Sequence, residues 1–181
     1  LTNNVQTVLK ETNNTTITFI NTFNALSVPR IKDFLSYILE LRTQYSKEAQ
    51  GTKFIPIYDK WTKHPDFEIH PRQRIWFDLP ILRNPEWQAM NILPAEFDVY
   101  LEEAIQFMKE HSDVSNFAGF YDFEIDKAER NLAVLRESRT DNIVNRKNFV
   151  QFFDQYDTRK GTNLVEVFPE FAQFVNAIRA S

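Results

Sequence analysis

Apolar residues change their spacing partway along this chain, from strands alternating with a helix to helices alone. Val5, Val8 and Leu9 recur at helical spacing within residues 1–11, which predicts the end of a helix. Asn13 and Asn14 then supply turn chemistry. TTITFI, residues 15–20, is β-branched at nearly every position and predicts a strand buried on both faces, as in a parallel sheet. Polar Asn21, Thr22 and Asn24 gather at its C-terminal end. Ser27 is placed to N-cap the next helix, with Pro29 in its first turn. Ile31, Phe34, Leu35, Ile38, Leu41 and Tyr45 form the stripe of an amphipathic helix ending near residue 45.

Residues 46–73 lose periodicity and contain Gly51, Pro56, Pro65 and Pro71, which predicts a functional loop or an insertion. RIWFDL, residues 74–79, predicts a second strand, so strand, helix and strand suggest a right-handed βαβ crossover. Pro80 ends that strand, and Arg83-Asn84-Pro85-Glu86 reads as a turn. Residues 87–93 predict a short third strand before Pro94. Helical spacing follows in four stretches. Phe97, Leu101, Ala104, Ile105 and Met108 share a face, and a second helix spans about 119–138. A third spans about 142–156 with Ile143, Phe149, Phe152, Phe153 and Tyr156 inward, and a last one follows Pro169. The division is therefore 1–93, an α/β part, and 94–181, a helical extension. Two or three strands with one crossover helix leave open edges and an uncovered sheet face. Further strands are expected from an upstream half of the same protein or from a complementary chain. The opening at Leu1, mid-pattern, suggests a fragment or a processed product.

Composition removes several function classes. The 3 glycines, Gly51, Gly119 and Gly161, are too scattered for a phosphate-cradling loop. A net charge of −4 gives no support to phosphate neutralisation, so no nucleic-acid partner is expected. With 0 cysteines there is neither a disulfide framework nor a thiolate metal site. Apolar runs are short, so no membrane helix is expected, and the location read from these features is cytoplasmic.

Ligands of parallel α/β folds gather at the carboxyl ends of strands. Those ends hold Asn21, Thr22 and Asn24 after one strand, and Asp78, Arg83 and Asn84 at and beyond the other. Trp87 is placed to line a pocket near that rim, although packing explains it equally, as it does Trp76 and Phe120. Strand ends are also polar because they meet water and cap the next helix. His64, Asp66, Glu68 and His70 alternate in HPDFEIHP, but their spacing fits no metal motif and prolines interrupt the backbone. His111 is expected to meet a helix C-terminus. FFDQYDTRKGTNLVEVF fails as a calcium loop: from Asp154 the third position is Tyr156, and from Asp157 it is Arg159. Glu102 with Glu103, and Asp122 with Glu124, are expected on solvated helix faces.

Three stretches in order resemble the C-terminal part of twitch-domain radical SAM proteins. They are FINTFNALSVPRIKDFLSYILELR (19–42), RIWFDLPILRNPEWQAMNILP (74–94) and FDQYDTRKGTNLVEVFPEF (153–171). The resemblance implies the last βα units of a partial (β/α)6 barrel followed by a helical C-terminal extension. In that family a CxxxCxxC loop holds a [4Fe-4S] cluster that cleaves S-adenosylmethionine (SAM) to a radical. No such cysteine is present here, so the complete protein would hold SAM and the cluster, and this chain alone would bind neither. It also implies that Asn21, Thr22, Asn24 and Asp78 sit on the SAM side of the rim. Arg83, Asn84 and Trp87 would then face the substrate, for which a peptide is one candidate. Two other readings stand beside it: a cysteine-free scaffold or protein-interaction module, and a complete α-rich domain with a small sheet.

Overall fold

The computed structural model describes residues 2–12, 15–46, 74–112 and 118–181. The helix α1 (Thr2–Glu11) leads into the strand β1 (Ile17–Ile20), a 3-10 turn (Ala25–Ser27), the helix α2 (Ile31–Tyr45) and the strand β2 (Ile75–Asp78). Three 3-10 turns follow, at Glu86–Gln88, Met90–Ile92 and Ala95–Phe97. The rest is helical: α3 (Asp98–Glu110), α4 (Asp122–Ser138), α5 (Ile143–Lys160), α6 (Leu164–Val167), a turn at Pro169–Phe171, and α7 (Ala172–Arg179). The irregular stretch expected over 46–73, the segment from His64 to His70 and the Asn13–Asn14 turn lie outside the described residues, apart from Ser46.

β1 and β2 pair in parallel, with Ile17 opposite Ile75 and Ile20 opposite Asp78, as the strand–helix–strand pattern predicts. One further bridge joins Phe23 to Ile81. The apolar stripe of α2 covers one face of this pair. There the Phe19 ring meets Phe34 at 6.2 Å and Tyr37 at 6.1 Å, and Phe34 meets Phe77 at 5.9 Å. On the other face Trp76 stacks on Tyr121 at 5.6 Å and on Phe123 at 6.3 Å, where α4 begins. That cover stops at β2. Thr18 is exposed and Ile20 is 68% exposed, so the two-sided burial expected of β1 does not occur among the described residues. β-branched composition marks a strand without saying how many of its faces are packed.

No third strand forms at 87–93. Met90, Ile92 and Leu93 are all buried, without the alternation of a strand, and the backbone turns in 3-10 steps. Side chains and backbone from the later helices satisfy its carbonyls instead. Arg146 Nε donates to Ile92 O at 2.8 Å and Arg139 Nε to Leu93 O at 3.2 Å. The Thr140 N–H donates to Asn91 O at 2.9 Å. With these acceptors satisfied, the segment needs no ladder. The Asn84–Pro85 bond just before it is cis.

One buried apolar cluster crosses the 93/94 division, running from Leu35 and Ile38 through Ile92 to Leu101, Leu132 and Phe171. At its edge lies a buried ion pair. Arg42 is 0% exposed and Glu124 2%, and Arg42 Nη2 donates to Glu124 Oε1 at 2.6 Å. The expectation of a solvated Asp122–Glu124 face therefore fails for Glu124, whose stripe position on α4 turns it toward α2. A similar correction applies to α5. Phe149 is buried there, but Ile143, Phe152 and Tyr156 are exposed rather than inward. Apolar residues circle this helix, and it packs mainly against α7 and the Glu86–Gln88 turn.

The stretch that imitates a calcium loop is a helix-to-helix turn. Gly161 ends α5 in the left-handed region at φ 66°. Asp157 accepts from Thr162 Oγ1 at 2.7 Å and from the Leu164 N–H at 2.7 Å, and Asn163 caps α6. A Cβ at Gly161 would meet nothing within 4 Å, so its cost is purely conformational. Gly161→Ala should lower stability by about 1 kcal/mol, read as a lower urea midpoint at unchanged slope. An unchanged midpoint would mean that the left-handed conformation is not required.

Candidate functional site

Beyond β1 and β2 the chains stay paired. The Asn21 N–H donates to Asp78 O at 3.0 Å, Phe23 N–H to Pro80 O at 2.7 Å, and Leu82 N–H to Phe23 O at 2.8 Å. This pairing fixes the rim on which the sequence placed its polar candidates.

Asn24 is engaged locally. Its Oδ1 accepts from the N–H groups of Leu26 at 2.9 Å and Ser27 at 3.3 Å, and its Nδ2 donates to Thr22 O at 3.2 Å. Ser27 Oγ in turn accepts from the Asn24 N–H at 3.4 Å, which completes a capping box. Asn24, not Ser27, is thus the N-cap, and it caps the 3-10 turn rather than α2. Asp78 is engaged as well. Its Oδ1 accepts from the Leu79 N–H at 2.9 Å and pairs with the Lys127 ammonium of α4. Burial, and after it the like charge of Arg130, lowers the Lys127 ammonium below its usual range even with Asp78 against it. Asp78 lies on the Trp76 side of the sheet, whereas Asn21 alternates to the α2 side. Thr22 is exposed. The four residues do not converge on one cavity.

A cavity of about 540 Å³ does open past the end of β2. Ile81, Met90 and Val134 give it an apolar wall, and Arg83, Glu86 and Asn91 a polar one. Its far side comes from Ser138, Thr140 and Asn145, where α4 passes into α5. Asn142 caps α5 there, accepting from Val144 N–H at 3.0 Å and Asn145 N–H at 3.2 Å. Of the expected substrate-facing set, Arg83 lines this cavity and the other two do not. Asn84 is exposed, and the Trp87 ring packs on Phe152 at 4.7 Å. The α4–α5 side carries no motif that sequence reasoning could have picked out.

Two other hollows among the described residues are internally paired. Arg179 pairs with Asp154 between α5 and α7, and Lys32 with Glu103 at 3.5 Å beside α3. His111 caps α3, its Nδ1 2.8 Å from Phe107 O. Among the described residues no three His, Cys, Asp or Glu side chains are grouped to hold a metal, and no helix is long and apolar enough to cross a membrane. Comparison with family models, with curated proteins and with solved structures returned no match.

Proposed function

We propose that this chain is the C-terminal portion of a radical SAM-type protein, supplying the last two strands of its partial barrel and closing the sheet. The observation that supports this is an asymmetry between the two sheet edges. On β2 the outward groups of Ile75 and Leu79 are engaged, while those of Phe77 meet no backbone partner among the described residues. Ile75 O accepts from Arg42 Nε at 3.1 Å, Leu79 N–H donates to Asp78 at 2.9 Å, and Leu79 O accepts from Asn131 at 3.2 Å. Arg42 and Asn131 are buried side chains that occupy both ends of this edge. On β1 the outward backbone groups of Thr18 and Ile20 meet no backbone partner among the described residues, and both side chains are exposed. A sheet built this way extends more readily past β1, whose edge carries no side chain from a neighbouring helix among the described residues.

The cluster does not fit this chain, because its donor set contains no thiolate. SAM does not fit the expected rim either, with Asn24 committed to capping and Asp78 to Lys127. Both are assigned to the remainder of the protein. The engagement of these two residues also favours the rival reading, a non-catalytic scaffold whose open edge takes a strand from another chain.

Thr18 separates the accounts. Its N–H points away from β2, so Thr18→Pro should spare the β1–β2 ladder and leave the isolated chain folded. In the full-length product of the coding sequence, the Thr18 and Ile20 amides should exchange at least about ten-fold more slowly than in the isolated chain. Equal exchange in both forms, or an upstream sequence without CxxxCxxC, would overturn the proposal.

A further inference from the structure

We infer that the cavity beyond β2 binds the carboxylate end of a peptide. The cavity is walled by this chain alone, so the inference does not depend on the barrel. Three of its groups differ in chemistry and remain available. Arg83 is exposed and its guanidinium has no hydrogen bond or ion pair among the described residues. Glu86 uses Oε2 to accept from Asn145 Nδ2 at 3.3 Å, which leaves Oε1 for a ligand N–H. Asn91 spends its backbone carbonyl on Thr140, while its side-chain amide carries both a donor and an acceptor.

Together these match one ligand end. A terminal carboxylate takes the planar guanidinium through two parallel charge-assisted bonds. The peptide unit next to it offers one N–H and one C=O, which Glu86 and Asn91 are equipped to receive. Ile81, Met90 and Val134 leave an apolar wall for the side chain. A cavity of about 540 Å³ is within the size range of small-ligand sites. A simple anion would use Arg83 and leave Glu86 opposing it. A neutral apolar ligand would strand all three polar groups, which is costly.

The test uses the whole chain and two probes, acetyl-Ala-Ala with a free carboxylate and the same peptide as its C-terminal amide. Amide resonances of Met90, Asn91 and Thr140 are followed during titration. The free acid should shift them saturably, and the amide should bind about ten-fold or more weakly. Arg83→Gln should bring the acid down to the level of the amide. Arg130→Gln, an exposed arginine of α4 that does not line the cavity, should change neither. Arg83 is exposed and has no partner among the described residues, so its variant is expected to keep the parent spectrum elsewhere. The inference fails if acid and amide bind alike, if Arg83→Gln binds the acid as the parent does, or if neither peptide moves these resonances.

Discussion

Arg42→Met should cost about 3–5 kcal/mol of stability, because it leaves the Glu124 carboxylate buried without its cation. The guanidinium joins three elements. Nε donates to Ile75 O of β2 at 3.1 Å, Nη1 to Gly119 O at 3.0 Å, and Nη1 and Nη2 to the two Glu124 oxygens at 3.0 and 2.6 Å. Glu124 Oε2 also accepts from the Tyr121 N–H at 3.0 Å. The rings of Phe77, Phe120 and Tyr121 stand 5.6 to 5.8 Å from the guanidinium carbon, which keeps water out. Removing the charge therefore strands a carboxylate in an apolar shell and frees two backbone carbonyls at once. The measurement is the urea midpoint at constant slope. The double variant Arg42→Met with Glu124→Leu should recover much of the loss, since a well-packed apolar pair often replaces a buried ion pair at little cost. A single variant that loses under about 1 kcal/mol would place water around the pair and remove its structural role.

The pair shows which parts of the fold local pattern could reveal. The α2 stripe was plain because Ile31, Leu35 and Ile38 recur at helical spacing, and both strands were plain because β-branched and aromatic residues cluster in them. Parallel pairing followed from the crossover helix alone. Arg42 continues the same stripe, four residues beyond Ile38, and Glu124 and Asn131 share a stripe with Ala128 and Leu135. Charged or amide residues inside an apolar stripe were the available signal for buried polar contacts. Charge reads as a sign of solvent, and that hides them. The false strand at 87–93 has the opposite cause. Its carbonyls find Arg139, Arg146 and the Thr140 amide, some 50 residues away, and nothing local announces such partners.

The site divides in the same way. Asn24 lay where strand-end ligands bind, yet Asn-Ala-Leu-Ser also has the spacing of a capping box, and the local bonds form. Arg83 was legible as a polar residue past a strand end. Its cavity was not, because the opposite wall comes from residues 134–145, which reach it only through the packing of α4 and α5.

The second large effect lies in the C-terminal helices, where two phenylalanines of the same apparent pattern should behave differently. Phe171 is fully buried, with ring centroids at 5.1 Å from Phe97, 5.6 Å from Phe149 and 6.2 Å from both Phe168 and Phe174. It joins the Ala95–Phe97 turn, α5 and α7, so a lost ring would open a space between three elements. Phe171→Ala should cost about 3–5 kcal/mol, the sum of lost transfer energy and a residual cavity. Phe152 sits on α5 at the spacing that the sequence assigns to the core, but it is 39% exposed and its ring leans on Trp87 at 4.7 Å. Losing that contact should cost only about 1 kcal/mol. Urea unfolding of the two single variants against the parent compares them directly. Equal losses would restore the inward orientation that helical spacing suggested for Phe152. A loss several times larger at Phe171 would show that α5 buries its Phe149 side alone, and that its aromatic residues at 152 and 156 are surface groups.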